Sequence, residues 1–420
     1  MLRAALADGT AHRRSVFELF ARRLPTGRRY GVVAGTGRLL DALEQFRFTE
    51  AEVAWLRDHD VVDATTADWL ADYRFSGDVW GYGEGDLYFP GSPVLVVEGT
   101  FAEAVVLETV LLSILNHDSA IASAAARMIG AAGDRPCIEM GSRRTHEWSA
   151  VAAARAAHIA GFATTSNLEA GRTYGVPTSG TSAHSFTLLH DTERDAFTAQ
   201  VESLGAGTTL LVDTYDIGEA VRTGVEVAGT GLGAVRIDSG DLTSLAHQVR
   251  GQLDALGATS TRIVVTSDLD EYAISALAAA PVDGYGVGTA LVTGSGAPTS
   301  GFVYKLVARE DDGGSLVPVA KKSTEKISVG GRKHALRRLS PTGTAQAEVI
   351  GIGAEPADDG NDRALLVLMV EGGRRVQRES LEDARDRHRA AIAELPPAAR
   401  KLSRGEPVIE TIVQQERTTP

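Results

Sequence analysis

A single cysteine, Cys137, serves a chain of 420 residues. No intrachain disulfide can form, and its place in an apolar run marks it as a buried structural thiol rather than a nucleophile or metal ligand. Long apolar stretches are missing too. None approaches the roughly 20 residues that a bilayer crossing requires, and the N-terminus has no uncharged hydrophobic segment ahead of a cleavage site. Neither a membrane span nor a secretory signal is expected, and the chain reads as cytoplasmic. Positive charge is in short supply: 42 Lys and Arg stand against 55 Asp and Glu, for a net charge of −13. That balance argues against general nucleic-acid binding, and any anionic substrate must meet cations gathered locally. No repeat, heptad array or extended low-complexity segment interrupts the chain. What is present, 43% hydrophobic residues, suffices for a large core and two domains of the usual ~100–200 residues.

Short apolar runs, each followed directly by a polar cluster, recur through the middle of the chain. Cys137-Ile138-Glu139-Met140 leads into Gly141-Ser142-Arg143-Arg144, and Gly161-Phe162-Ala163-Thr164 into Thr165-Ser166-Asn167. Thr209 to Val212 leads into Asp213-Thr214-Tyr215-Asp216, and Ala234 to Ile237 into Asp238-Ser239-Gly240-Asp241. Arg262 to Thr266 precedes Ser267-Asp268, and Tyr285-Gly286-Val287 precedes Gly288-Thr289. Helical patterns fill the intervals at Thr145–Ala160, Asp191–Ser203, Asp216–Val227, Asp241–Leu256 and Asp270–Ala280. Strand, polar cluster and helix in this rotation predict a parallel α/β barrel or a doubly wound sheet. Chemistry in such folds gathers at the carboxyl ends of the strands, where all these clusters fall.

Within that frame a few side chains are candidates for function. His184 stands in the small-residue loop Gly180-Thr181-Ser182-Ala183-His184-Ser185, after the apolar run Tyr174 to Pro177. Small neighbours let backbone N–H groups approach a ligand, and a histidine there can act as acid, base or phosphoryl acceptor. Arg143 and Arg144 together at a strand end, and Arg172 before the histidine loop, supply local positive charge. Arg236 lies inside an apolar run, which is costly unless it is paired. It faces either an anionic ligand or Asp213 or Asp238 in a bracing ion pair. The acidic residues divide by position. Asp216, Asp241 and Asp270 stand where helices begin and read as N-caps. Asp213, Asp238 and Asp268 stand at strand ends, where a carboxylate could hold Mg²⁺ or stabilise a developing cation. The glycine-rich Gly284 to Thr289 segment offers N–H groups and the Thr289 hydroxyl to a phosphate.

Taken in order, Phe17 to Pro25, Gly85 to Gly91, Gly141 to Arg144, Gly180 to Ser185, Arg236 to Asp241 and Gly286 to Thr289 closely resemble the nicotinate phosphoribosyltransferase family. The resemblance runs nearly the whole length of the chain. It implies transfer of a phosphoribosyl group from phosphoribosyl pyrophosphate (PRPP) to the ring nitrogen of nicotinate, coupled to ATP hydrolysis and assisted by Mg²⁺, as the first step of NAD salvage from nicotinic acid. It also implies an irregular, TIM-like parallel α/β barrel over residues 116–324, carrying the active site. An α+β sandwich would be built from 1–115 with 325–420. The expected assembly is a homodimer with active sites at its interface.

Carried onto this sequence, the resemblance makes His184 the residue phosphorylated by ATP. It sets Arg143 and Arg236 beside the pyridine ring and its carboxylate, and Asp213 and Asp238 along the ribose and ring nitrogen. Thr181, Asp268, Gly286, Gly288 and Thr289 would complete the substrate site, the two glycines and Thr289 around the 5′-phosphate. Ser166 occupies the place of an aspartate in nicotinamide-using relatives; an aspartate would repel a carboxylate, so the serine favours the acid. A basic stretch, Lys305, Lys321, Lys322, Lys326, Arg332, Lys333, Arg337 and Arg338, reads for the most part as a solvated face. Within it Lys321, Ser323 and Lys326 approximate a family segment that handles ATP and diphosphate, with Gly330-Gly331-Arg332-Lys333 in place of Pro-Gly-x-Lys.

One departure from the family concerns the start. Relatives begin with an Asp-x-Tyr-x-Leu-Thr-Met stretch whose tyrosine stacks on nicotinate across the dimer, and Met1 falls at that stretch's last position. Either translation begins here or an upstream segment belongs to the protein. Losing one stacking face would cost on the order of 1 kcal/mol in substrate binding. Two alternatives stay open: another anion-handling barrel enzyme, such as a quinolinate or nicotinamide phosphoribosyltransferase or a phosphosugar lyase, and a catalytically impaired nucleotide-binding paralogue.

Overall fold

The structure, a computed structural model, describes residues 1–321 and 329–415. It divides into two compact units, Met1–Ala120 with Thr299–Pro420, and Ile121–Pro298. No helix among the described residues is long and apolar enough to cross a membrane.

Six parallel strands organise the second unit: β1 (Cys137–Glu139), β2 (Thr164–Thr165), β3 (Thr209–Leu211), β4 (Ala234–Ile237), β5 (Arg262–Thr266) and β6 (Gly284–Val287). Their spatial order is β2-β1-β6-β5-β4-β3. Because β2 and β3 do not pair with each other, the irregular parallel barrel expected from the sequence takes the form of a curled half-barrel. Closure in this class takes eight strands. The shortfall arises between Thr165 and Thr209, where the chain builds helices instead. These are α2 (Leu168–Tyr174), α3 (His184–Leu189) and α4 (Glu193–Leu204). The apolar run Tyr174 to Pro177 is not a strand. Gly175 caps α2 in the left-handed conformation (φ 71°), and Pro177 cannot donate to a ladder. Thr178, just after it, meets the sheet as an isolated parallel bridge to Thr165, with Pro177 and Ser179 hydrogen-bonded to the Thr165 backbone.

The remaining helices follow the strands as expected: α1 (Glu147–Ile159), α5 (Ile217–Ala228), α6 (Leu242–Ala255) and α7 (Glu271–Ala276). Asp216, Asp241 and Asp270 cap α5, α6 and α7, accepting from the N–H groups of Glu219 (2.9 Å), Ser244 (3.1 Å) and Ala273 (2.8 Å). Each satisfies orphan donors that a helix start leaves open, Asp270 a second one from Tyr272.

The first unit joins both ends of the chain. Its seven-stranded sheet interleaves N-terminal strands Arg14–Ala21, Asp78–Tyr82 and Leu95–Thr100 with C-terminal ones, and all of its recorded pairings are antiparallel. Phe302–Glu310 pairs with Arg14–Ala21, and the Phe17 and Tyr304 rings stack at 4.8 Å. Residues from 299 onward therefore belong with the termini, which moves the expected boundary at 324 upstream by the length of this strand and its hairpin. A four-stranded sheet of Lys333–Leu339, Ala345–Ile352, Arg363–Ala364 and Glu410–Gln415 completes the unit.

The basic stretch departs furthest from a solvated face at Lys333 and Arg337. Lys333 is buried and ion-paired with Glu18, and Arg337 is fully buried with Glu348 at 2.9 Å. Both bind carboxylates inside the core, as buried cations must. Ser323 and Lys326, with Lys322, lie outside the described residues; Lys321 is exposed.

Candidate active site

The site-forming side chains converge at the carboxyl end of the parallel sheet in the Ile121–Pro298 unit. His184 opens α3, so it is a helix residue rather than a loop one. Its Nδ1 lies 3.1 Å from Thr214 Oγ1, and its Nε2 faces two carboxylates, Asp213 Oδ1 at 3.9 Å and Asp238 Oδ2 at 3.8 Å. Those two aspartates come from adjacent strands, β3 and β4. The Asp213 side chain is 2% exposed, and its Oδ2 accepts from the Asp238 N–H (2.9 Å) and the Ser239 hydroxyl (2.7 Å). Asp238 Oδ1 is held by the Thr266 hydroxyl from β5. The remaining oxygen, Asp213 Oδ1, is buried without a hydrogen-bond partner. Leaving such an atom unpaired costs about 1–3 kcal/mol.

Arg236, in β4, does not take the bracing ion pair that spacing allowed. It forms no ion pair with Asp213 or Asp238; its guanidinium instead donates to Thr181 Oγ1 and to the Ser182 carbonyl at 3.3 Å. Thr181 is thereby placed as an anchor of the histidine loop. Burial pushes the Arg236 guanidinium below its usual range, against the pull of Asp238 and Asp213, while Arg143 pushes the same way as burial. The Arg236 Nε is buried and unpartnered. Arg143 is exposed in the 3₁₀ turn Ser142–Arg144 after β1 and has no hydrogen bond or ion pair among the described residues. Arg143 is thus near enough to Arg236 for their charges to interact, and it has no carboxylate partner of its own among the described residues.

Ser166 is exposed at the end of β2, and its N–H donates to the Glu139 carbonyl at 2.8 Å. Asp268 and Thr289 are exposed after β5 and β6, on the same end of the sheet. Ser267, just before Asp268, holds φ at 153°, a strained backbone of the kind found beside functional sites. Gly286 does not open a phosphate cradle. It is buried within β6, paired to β5 and β1 on either side, and a Cβ there would meet Thr266 Cγ2 at 2.4 Å and Met140 Sδ at 2.8 Å. Its lack of a side chain serves packing. Gly288 lies beyond the strand, capping the short helix Thr289–Val292. Arg172 is spent locally on Glu169 in α2, at 2.7 Å.

Sequence reasoning missed Thr214, Ser239, Thr266 and Glu139. The first three are hydroxyls one residue from, or one strand away from, the carboxylates and the imidazole they orient, and nothing in their spacing sets them apart. Glu139 did carry a signal: a charged residue inside an apolar strand, the same feature that singled out Arg236. It is 1% exposed, with its carboxyl pushed up by burial against the hydrogen bonds from Thr165 and Gly141.

Comparison with known proteins agrees with this arrangement. Residues 1–116 match the nicotinate phosphoribosyltransferase (NAPRTase) N-terminal domain, and residues 136–343 the nicotinate phosphoribosyltransferase (NAPRTase) family. A nicotinate phosphoribosyltransferase of Mycobacterium tuberculosis is 59% identical over 420 aligned residues, spanning 98% of this chain and 92% of the relative. A second protein of that name from the same organism is 41% identical over 408 residues, spanning 94% and 84%. The crystal structure of human nicotinic acid phosphoribosyltransferase superposes with a TM-score of 0.85 at 26% identity, covering 99% of this chain and 96% of that one. By its sequence matches along both units and by its fold, the chain belongs to the nicotinate phosphoribosyltransferase family.

Proposed function

We propose that the chain transfers the phosphoribosyl group of PRPP to nicotinate, giving nicotinate mononucleotide and diphosphate, with ATP hydrolysed to ADP and phosphate through a phosphohistidine at His184. The observation that carries this reading is the convergence of His184, Asp213, Asp238 and Arg236 from three separate segments onto one sheet end.

In the transfer, the ring nitrogen of nicotinate supplies the electron pair for the new bond to C1 of the ribose, and diphosphate leaves with the pair of the broken C–O bond. Positive charge develops on the sugar between those events. Asp213 and Asp238 present negative charge, pre-oriented by Ser239, Thr266 and a backbone N–H, to stabilise it without reorganisation. Arg143 and Arg236 receive the substrate carboxylate. Ser166 contributes no charge that would repel that carboxylate, which favours nicotinate over nicotinamide. Thr181 holds the loop, and Asp268, Gly288 and Thr289 line the ribose phosphate end.

The coupling step uses His184. Its Nδ1 is engaged by Thr214, leaving Nε2, on a partly exposed ring, as the open nitrogen. Attack there on the γ-phosphorus of ATP forms a P–N bond and releases ADP; water later returns the phosphate. The added charge beside Asp213 and Asp238 changes what the site binds best. The donor set also fits Mg²⁺: an unpartnered buried carboxylate oxygen beside a second carboxylate suits an ion that keeps waters and takes substrate phosphates as its other ligands. Bound there, Mg²⁺ would offset phosphate charge.

The same reading makes the sheets of the terminal unit an α+β sandwich and the protein a homodimer with active sites at its interface. Trp148, Leu168, Leu188, Leu189 and Tyr215, each more than 55% exposed on segments around the sheet's carboxyl end, support a covered surface there. A cytoplasmic setting is supported by reliance on one buried thiol and no disulfide.

The test is product formation from labelled nicotinate and PRPP with and without ATP, for wild type and His184→Ala. ATP is expected to stimulate wild type strongly, and the substitution to abolish that stimulation while leaving slow turnover. Equal rates with and without ATP in wild type would remove His184 from its role.

A further inference from the structure

Glu139 is a buried carboxylate with no cation within ion-pair distance among the described residues, a costly setting that its hydrogen bonds must offset. Both of its oxygens are used. Oε1 accepts from the Gly141 N–H at 2.5 Å, at the turn that presents Arg143. Oε2 accepts from the Thr165 hydroxyl at 2.5 Å, at the end of the strand that presents Ser166. Its own carbonyl receives the Ser166 N–H at 2.8 Å. The two loops are stitched further: Thr165 Oγ1 accepts from the Asn167 N–H (2.9 Å), and Asn167 Nδ2 donates to Ser142 Oγ (2.9 Å). Thr165 also exchanges backbone hydrogen bonds with Pro177 and Ser179, at the root of the loop leading to His184.

The geometry points to Glu139 as the positioning residue that sets Arg143 and Ser166 at a fixed separation and so governs recognition of the pyridine acid. This rests on the reading above that Arg143 and Ser166 face the pyridine. Glu139 itself touches no substrate. Its carboxylate accepts from the Gly141 N–H and the Thr165 hydroxyl at once, and the Asn167–Ser142 hydrogen bond is the second tie between the two loops. A neutral amide cannot do the same, because its NH₂ end meets one of those two donors.

The experiment compares Glu139→Gln, Thr165→Val and Thr165→Ser with wild type and with Arg143→Ala, measuring KM for nicotinate, KM for PRPP and kcat. For Glu139→Gln and Thr165→Val the nicotinate KM is expected to rise roughly tenfold, the scale of one lost or misaligned hydrogen bond to a charged group. The PRPP KM should move less than twofold or so, and kcat much less than kcat/KM. Thr165→Ser, which keeps the hydroxyl, should restore the nicotinate KM. Equal rises in both KM values, or unchanged nicotinate KM in both variants, would overturn the positioning role. If Glu139→Gln does not fold, the Thr165→Val and Thr165→Ser pair decides by the same criterion. Arg143→Ala separates the two levels: an unchanged nicotinate KM there sinks the reading of the site itself, whereas a raised one with silent Glu139 and Thr165 variants sinks only this inference.

Discussion

At the scale of single residues, the site is organised by hydroxyls and backbone groups that hold charged side chains in place. Asp213 is the clearest case, with one oxygen doubly hydrogen-bonded and the other left bare in a buried setting. Glu193, the first residue of α4, shows the same tension away from the proposed chemistry. One of its oxygens is buried without a partner, and burial, together with the negative charge of Asp216, pushes its carboxyl up to about 7 from 4.5. A carboxyl raised in the folded state stabilises the fold at low pH, and that contribution is lost as pH rises from 4.5 through about 7. Glu193→Gln is therefore expected to raise the melting temperature at pH 8 and to leave it nearly unchanged at pH 5. Thermal unfolding at the two pH values checks this; an identical shift at both would contradict it.

At the scale of elements, the strand-and-helix rhythm was legible wherever a short apolar run met a polar cluster, and so were three N-caps, because Asp at a helix start has one simple physical job. Less legible was the segment from Thr165 to Thr209. The apolar run Tyr174 to Pro177 carries no strand, since Gly175 and Pro177 interrupt it, and the chain passes from α2 into a loop that Arg236 holds. Arg236 itself could not be resolved by spacing, since its partner is 55 positions away in the chain. Gly286 misled for a related reason: a glycine-rich run looks the same whether its N–H groups are free or its Cα is crowded. The crowding predicts that Gly286→Ala costs about 1–3 kcal/mol through overpacking against Thr266 and Met140. Chemical denaturation measures this, and a neutral result would show that Met140 yields easily.

At the scale of the whole molecule, the half-barrel gathers residues from Glu139 to Thr289 at one end of one sheet, while the chain's two termini are consumed in building a separate unit. The pairing of Phe302–Glu310 with Arg14–Ala21, between residues far apart in the chain, assigns that strand to the terminal unit. Resemblance along the full length supplied what spacing could not, the identity of the substrate acid, and that identity is the central claim. Its most direct test offers the protein nicotinate, nicotinamide and quinolinate together at equal concentration with PRPP, ATP and Mg²⁺, and identifies the mononucleotides formed. Nicotinate mononucleotide formed by consumption of nicotinate is the predicted product; preferential consumption of nicotinamide or quinolinate would contradict the account.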